Sequence, residues 1–240
     1  MIMAEETRTR IALIHALTES VLPAHQAFRA LWPEAYCFDL LDTSLSGDLA
    51  AGQRLEDGIA DRIRHLADYA AASQGEAGET RALLFTCSAF GPAIDAVKEH
   101  MPIPVLRPNE AAFEQALARG GRIGLAVTFG PSFASLRDEL LSMASQRGQA
   151  VEVIPVLVEG ALAALKAGNG DEHDRLAAEA CRKLPSVDAL VLGQFSLARA
   201  ADAVRHYIDV PVLTTPSSAV LALKSLTKPT PDLRKPGTTS

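Results

Sequence analysis

Short apolar runs alternate with longer amphipathic stretches along most of this 240-residue chain. The runs Ile11–Ala16, Tyr36–Leu41, Ala82–Thr86, Ile103–Leu106, Ile123–Thr128, Val151–Leu157, Ala189–Leu192 and Val210–Leu213 have the length and composition of strands. Several, such as Ala82-Leu83-Leu84-Phe85, are apolar at every position, as strands are when helices cover both faces of a sheet. Segments of helical length lie between most of them, for example Leu55–Ala72 and Ala112–Arg119. This alternation predicts βαβ units and an α/β fold.

Laying the second half of the chain over the first reveals an internal repeat. Residues 82–97, ALLFTCSAFGPAIDAV, align without gaps to 189–204, ALVLGQFSLARAADAV, and at the same offset 103–112, IPVLRPNEAA, align to 210–219, VPVLTTPSSA. Arg10-Ile11-Ala12-Leu13 resembles Arg122-Ile123-Gly124-Leu125, so each half opens with a similar strand. Two similar lobes follow. The adjacent Gly120 and Gly121 mark a linker at that point or just before it. The segment Lys228–Ser240, rich in Pro, Gly and Thr, reads as a frayed tail.

Composition narrows the function classes. Apolar residues make up 48% and charged residues 22%, which is ordinary for a globular chain and excludes global disorder. The net charge is −6 and no basic run is long enough to track phosphates, so nucleic acid is not an expected partner. No signal peptide or membrane span fits the sequence. Cys37, Cys87 and Cys181 are far apart, with no CxxC pair, which argues against a zinc site or a disulfide framework and for a reducing, cytoplasmic setting. Neither GxGxxG nor a Walker pattern is present, and Gly168-Asn169-Gly170 reads as a turn.

In parallel α/β sheets ligands bind beyond the carboxyl ends of the strands, and two facing lobes would set those ends around one cleft. The strand ends carry small hydroxyl residues beside helix starts, a setting that suits a carboxylate. Cys87 sits between Thr86 and Ser88 at a strand end and just before a helix, where a thiol pKa is lowered and a thiolate becomes usable, although any cysteine can also be a small core residue. Cys37, inside a strand, and Cys181, on a helix running to Leu184, read as packing residues. His15 either orients an acid group or is a hydrogen-bonding neighbour, and Glu19 and Ser20 fit the start of the next helix.

The sequence Thr86-Cys87-Ser88 closing a strand, Ile103-Pro104-Val105-Leu106 after it, and Ala189-Leu190-Val191-Leu192-Gly193 followed by Val210-Pro211-Val212-Leu213 resembles the aspartate/glutamate/hydantoin racemase superfamily. The resemblance runs from the first strand to about Leu226. It implies two pseudosymmetric lobes, each a short, mostly parallel sheet flanked by helices, with the active site in the cleft between them. Residues 1–110 with 216–240 form the lobe that carries Cys87, and residues 111–215 the lobe that carries Gln194. It further implies a homodimer or higher homo-oligomer, no cofactor or metal, and a small carboxylate substrate. In such enzymes two cysteines, one per lobe, remove and return the proton at the carbon next to the carboxylate.

This chain matches the first cysteine at Cys87 but has Gln194 where the second belongs, and Ser196 where some relatives have a histidine. The repeat independently pairs Cys87 with Gln194. Glutamine is neither an acid nor a base at neutral pH, so symmetric two-thiol chemistry does not carry over. The resemblance therefore implies a racemase- or isomerase-like enzyme with Cys87 as acid/base and with His15, Ser88, Thr128, Phe129, Gln194, Phe195 and Ser196 as substrate contacts. The alternatives are a one-cysteine decarboxylase or lyase similar to arylmalonate decarboxylase, or a small-acid binding protein without catalysis.

Overall fold

The computed structural model describes residues 8–228, so the segment before Arg8 and nearly all of the proposed tail lie outside the described residues. Two sheets account for the strands. In the first, β1 (Arg10–His15) lies between β2 (Tyr36–Leu41) and β4 (Gly78–Phe85), and β5 (Val105–Leu106) pairs with β4, all in parallel. A two-residue strand, β3 (Gln74–Gly75), adds an antiparallel hairpin to the start of β4. In the second sheet, β6 (Arg122–Val127) lies between β7 (Glu152–Leu157) and β8 (Ala189–Leu192), with β9 (Val212–Thr214) beyond β8.

The repeat is reproduced in the strand register. Leu83 faces Val105 and Leu84 faces Leu106 in the first sheet, just as Leu190 faces Val212 and Val191 faces Leu213 in the second. Leu13 lies between Asp39 and Leu84 as Leu125 lies between Pro155 and Val191. Residues with equal places in the repeat thus occupy equal places in the two sheets.

Alternation along β1 places Ala12 and Ile14 on one face, against Ile63 and Ala67 of α3 (Ala60–Ala72) and Ile94 of α4 (Gly91–His100). Ile11 and Leu13 face the other way, onto Phe28 of α1 (Val21–Leu31), Trp32, and Val220 and Leu223 of α10 (Thr215–Leu226). A helix from the far end of the chain therefore covers the first sheet. Conversely α5 (Glu110–Leu117), which follows the last strand of the first sheet, packs Phe113 and Ala116 on Ile123, Leu125 and Val191 of the second. Phe113 is fully buried, a burial that stabilises by roughly 2–3 kcal/mol. The remaining coverage comes from α6 (Gly130–Gln146) on that face, and from α8 (Gly170–Cys181) and α9 (Ala201–Arg205) on the opposite one; α2 (Thr43–Ala50) and α7 (Ala161–Lys166) are the other described α-helices.

Because α5 already belongs to the second sheet, Gly120 and Gly121 lie inside that half and are not where the chain crosses, contrary to the sequence-based expectation. Their smallness serves close packing: a Cβ on Gly120 would overlap the Asp188 side chain, and one on Gly121 would come within 3.0 Å of the Ala150 carbonyl. The crossing segment after β5 instead carries Arg107. Its Nη1 is 2.8 Å from Asp95 Oδ2 on α4 and its Nη2 is 2.8 Å from Glu139 Oε1 on α6, tying the two halves together. The Glu139 contact is close but not aligned as a hydrogen bond.

Candidate active site

Cys87 and Gln194 end up at equivalent strand ends, each just before a turn of 3-10 helix, Ser88–Phe90 and Phe195–Ala200. Both line one pocket of about 490 Å³, together with Ser20, Thr86, Ser88, Phe129, Phe195 and Ser196. Most of its wall is apolar, and Glu19 is the one charged side chain among the lining residues. Hydroxyls of Ser46, Ser132 and Ser135, the last two one turn apart on α6, complete the polar part.

The two paired side chains are held differently. Gln194 Oε1 accepts from the Thr128 backbone N–H and from the Thr128 hydroxyl, both at 2.7 Å. The backbone donor fixes which end of the amide is oxygen, so the free end of Gln194 is its NH2, a donor only. Thr128 therefore contributes by positioning Gln194; it does not itself line the pocket. Gly193 before it must be small, since a Cβ would lie 2.9 Å from Leu125 Cδ1 and 3.1 Å from the Ala126 carbonyl.

Cys87 departs from the expectation of a lowered thiol pKa. Burial pushes the thiol up, and the Ala89 N–H offsets this only in part. Only a three-residue 3-10 turn directly follows Cys87, and no charged group among the described residues offsets the effect of burial on it. A thiolate is thus not the resting form, and a proton acceptor is needed to produce one.

His15 also differs from its expected place. It is fully buried and does not line the pocket. Its Nδ1 is 2.8 Å from Thr86 Oγ1 and 3.2 Å from Ser20 Oγ, and its Nε2 is 3.0 Å from Asp39 Oδ1. Ser20 stands at the N-cap of α1, yet its hydroxyl makes no cap bond and donates instead to the Leu17 carbonyl at 2.7 Å. Asp39 was not singled out by sequence reasoning; the available signal was an acid in the middle of the apolar strand Tyr36–Leu41.

The other two thiols are packing groups. Cys181, the last residue of α8, is fully buried, and burial raises it to about 12. The helix stops there instead of running on to Leu184. Cys37, half-buried on β2, is likewise pushed to about 12 by burial and the nearby Asp39 charge. Replacing either by alanine is expected to lower stability by roughly 1 kcal/mol without slowing turnover. Urea denaturation alongside rate measurement checks this, and a large rate loss at unchanged stability would relocate the functional thiol.

Comparison with known proteins places this architecture. A search of curated proteins finds no match. Among solved structures, glutamate racemase from Francisella tularensis in complex with D-glutamate superposes with a TM-score of 0.67 at 16% identity, covering 92% of this chain and 81% of that one. Allantoin racemase from Pseudomonas fluorescens gives 0.66 at 19% identity, over 91% and 90%. An aspartate racemase homologue from Pyrococcus horikoshii gives 0.65 at 17%, over 92% and 100%. At these identities the likeness speaks for the fold. The sequence itself matches the profile described as Asp/Glu/Hydantoin racemase across residues 17–228, nearly the whole described chain, and on that match the protein belongs to the Asp/Glu/hydantoin racemase family of enzymes.

Proposed function

We propose that this protein is a cofactor-independent, racemase- or isomerase-like enzyme acting at the carbon alpha to a carboxylate of a small amino-acid-like substrate, with Cys87 as its acid/base group. The pocket between the lobes formed by residues 1–110 with 216–240 and by 111–215 is its active site. The observation that carries this reading is the convergence of Cys87 and Gln194, pseudo-equivalent in the repeat, on one pocket. The substrate carboxylate is met by neutral donors, the Ser88 and Ser196 hydroxyls and the Gln194 NH2, and Glu19 accepts from an ammonium or ureido N–H. Phe129 and Phe195 shape the apolar part of the pocket.

Proton removal next to a carboxylate creates an enolate, and fixed donors aimed at its oxygen stabilise it. Gln194, locked by Thr128 with its NH2 free, fills that role. A donor opposite a single thiol also favours one-faced protonation, which is the step a decarboxylase of the arylmalonate type needs; this is the second reading.

The test is α-proton exchange in heavy water over a panel of amino acids, hydantoins and substituted malonates, with carbon dioxide release followed in parallel. Exchange without net decarboxylation is expected for at least one class. Gln194→Leu should slow it about 10²-fold, and Gln194→Cys should raise racemisation above the parent chain. Decarboxylation alone would select the second reading, and tight binding of an acid with neither reaction would make the protein a binder.

A further inference from the structure

Resting on the proposed reaction, one gap remains in the pocket: the thiol is protonated at rest, and Gln194 opposite it is not a base. Glu19, the one charged side chain of the lining, is taken up by the substrate N–H in that reading, so a further proton acceptor has to come from behind the pocket wall. Hydrogen bonds from two residues of the pocket wall, Ser20 and Thr86, converge on the buried His15, and the shorter comes from Thr86. Thr86 is a residue of the pocket wall, and its Oγ1 lies 2.8 Å from His15 Nδ1; His15 Nε2 lies 3.0 Å from Asp39 Oδ1; and His25 Nε2, partly exposed on α1, lies 2.9 and 2.8 Å from the two Asp39 oxygens.

The proton positions in this chain are determined by its end group. Burial pushes the Asp39 carboxyl up, but hydrogen bonds and charge from His15 and His25 more than offset it, so Asp39 is held below its usual value as a carboxylate. A carboxylate only accepts, so the Nε2 of His15 carries a proton toward Asp39, and Nδ1 is the ring position that can take up or give back a second one on the Thr86 side. Thr86 Oγ1 also lies 2.9 Å from Ser20 Oγ and 3.4 Å from the Ile14 carbonyl; with the Ser20 proton committed to the Leu17 carbonyl, Thr86 is the hydroxyl placed to donate to a bare Nδ1, its shortest contact at 2.8 Å. The order hydroxyl, imidazole, carboxylate is that of a general-base triad, with the two ring nitrogens exchanged.

The internal repeat supplies a control within the same molecule. Strand register makes His15 equivalent to Val127, Asp39 to Pro155 and Thr86 to Gly193. The second sheet builds the same architecture with no polar side chain at any of these three places. The fold does not require this network, and it stands only on the side that carries the thiol.

We propose that Thr86, His15 and Asp39 form the general-base relay of the pocket, taking the proton that the Cys87 thiol or the bound acid gives up. In the step, the pocket-side group loses one proton to Thr86 Oγ1 while the Thr86 hydroxyl proton passes to His15 Nδ1. The product is an imidazolium held between Thr86 and the Asp39 carboxylate, and the reverse transfer returns the proton. Thr86 is the catalytic residue at the pocket; His15 and Asp39 act through it, and His25 pins the carboxylate.

Two readouts on the full chain test this. The first needs no substrate: the rate of Cys87 alkylation by iodoacetamide against pH, located by peptide mass mapping. In the parent chain reactivity should rise at lower pH than in Thr86→Val, His15→Gln or Asp39→Asn, and Thr86→Ser should restore the parent curve. The second is the pH profile of α-proton exchange, whose lower limb should disappear, with at least a tenfold loss of rate, in Thr86→Val and remain in Thr86→Ser. Should His15→Gln fail to fold, Asp39→Asn and Thr86→Val carry the same comparison. Folded variants with parent-like curves in both readouts would overturn the relay while leaving the enzyme reading in place. A displaced alkylation curve in a chain that turns over nothing on the panel would support the relay and count against the proposed reaction.

Discussion

Cys87→Ala is expected to reduce turnover to background on whatever substrate the parent chain accepts, a loss of about 10²–10⁴-fold for a general acid/base. The expectation rests on position. Cys87 is the one cysteine that lines the pocket, it shares that pocket with the amide at its repeat-equivalent place, and the proton relay ends beside it at Thr86. Stability should change little, because the side chain is half-buried at a pocket wall, where it packs on the edge of the core. Heavy-water exchange measured on a variant shown to be folded checks the result. Activity of Cys87→Ala within a few-fold of the parent would remove the thiol from the chemistry.

The largest effect on stability should come from Glu139, and it depends on pH. Burial pushes its carboxyl from 4.5 up to about 7; the Arg107 charge beside it opposes this without overcoming it, and Glu110 and Asp95 add to the rise. Between those pH values the folded chain holds a proton that the unfolded chain has released. The contribution of Glu139 is therefore fully present below about pH 4.5 and is lost as pH rises to about 7, by up to about 3 kcal/mol. Glutamine at this position cannot titrate. The stability difference between the parent and Glu139→Gln, measured by chemical denaturation from pH 5 to 8, should fall with pH and then level off. A difference that does not vary with pH would show that Glu139 ionises as an exposed carboxylate does.

Much of the architecture was legible because of what a sheet covered on both faces demands. Strands such as Ala82–Phe85 and Ala189–Leu192 read as unbroken apolar runs, and the repeat offset by itself pairs Cys87 with Gln194. β3 was missed because Gln74 and Gly75 are exposed and carry no apolar signal; only the turn around Ala77, at φ 67°, and Gly78, at φ 81°, marks the hairpin. The direction of His15 was not legible, since a strand-end position does not say which face a side chain takes. Nor was the thiol's state: sequence shows a following helix but not the desolvation that outweighs it. The linker was misread because two glycines look alike whether they supply freedom or merely make room.

The exchange of covering helices between the two sheets constrains the order of events during synthesis. One face of the first sheet, formed by Ile11, Leu13, Ala82 and Leu84, is closed partly by Ala219, Val220 and Leu223. Those residues leave the ribosome only after the entire second sheet has been made, although domains usually fold as units from the N-terminal end. The first-made half thus waits with an apolar surface open until α10 arrives, and the chain completes its two halves together. A nascent chain stalled before Thr215 should accordingly be protease-sensitive in its first half, while one extended past Leu226 should be protected throughout.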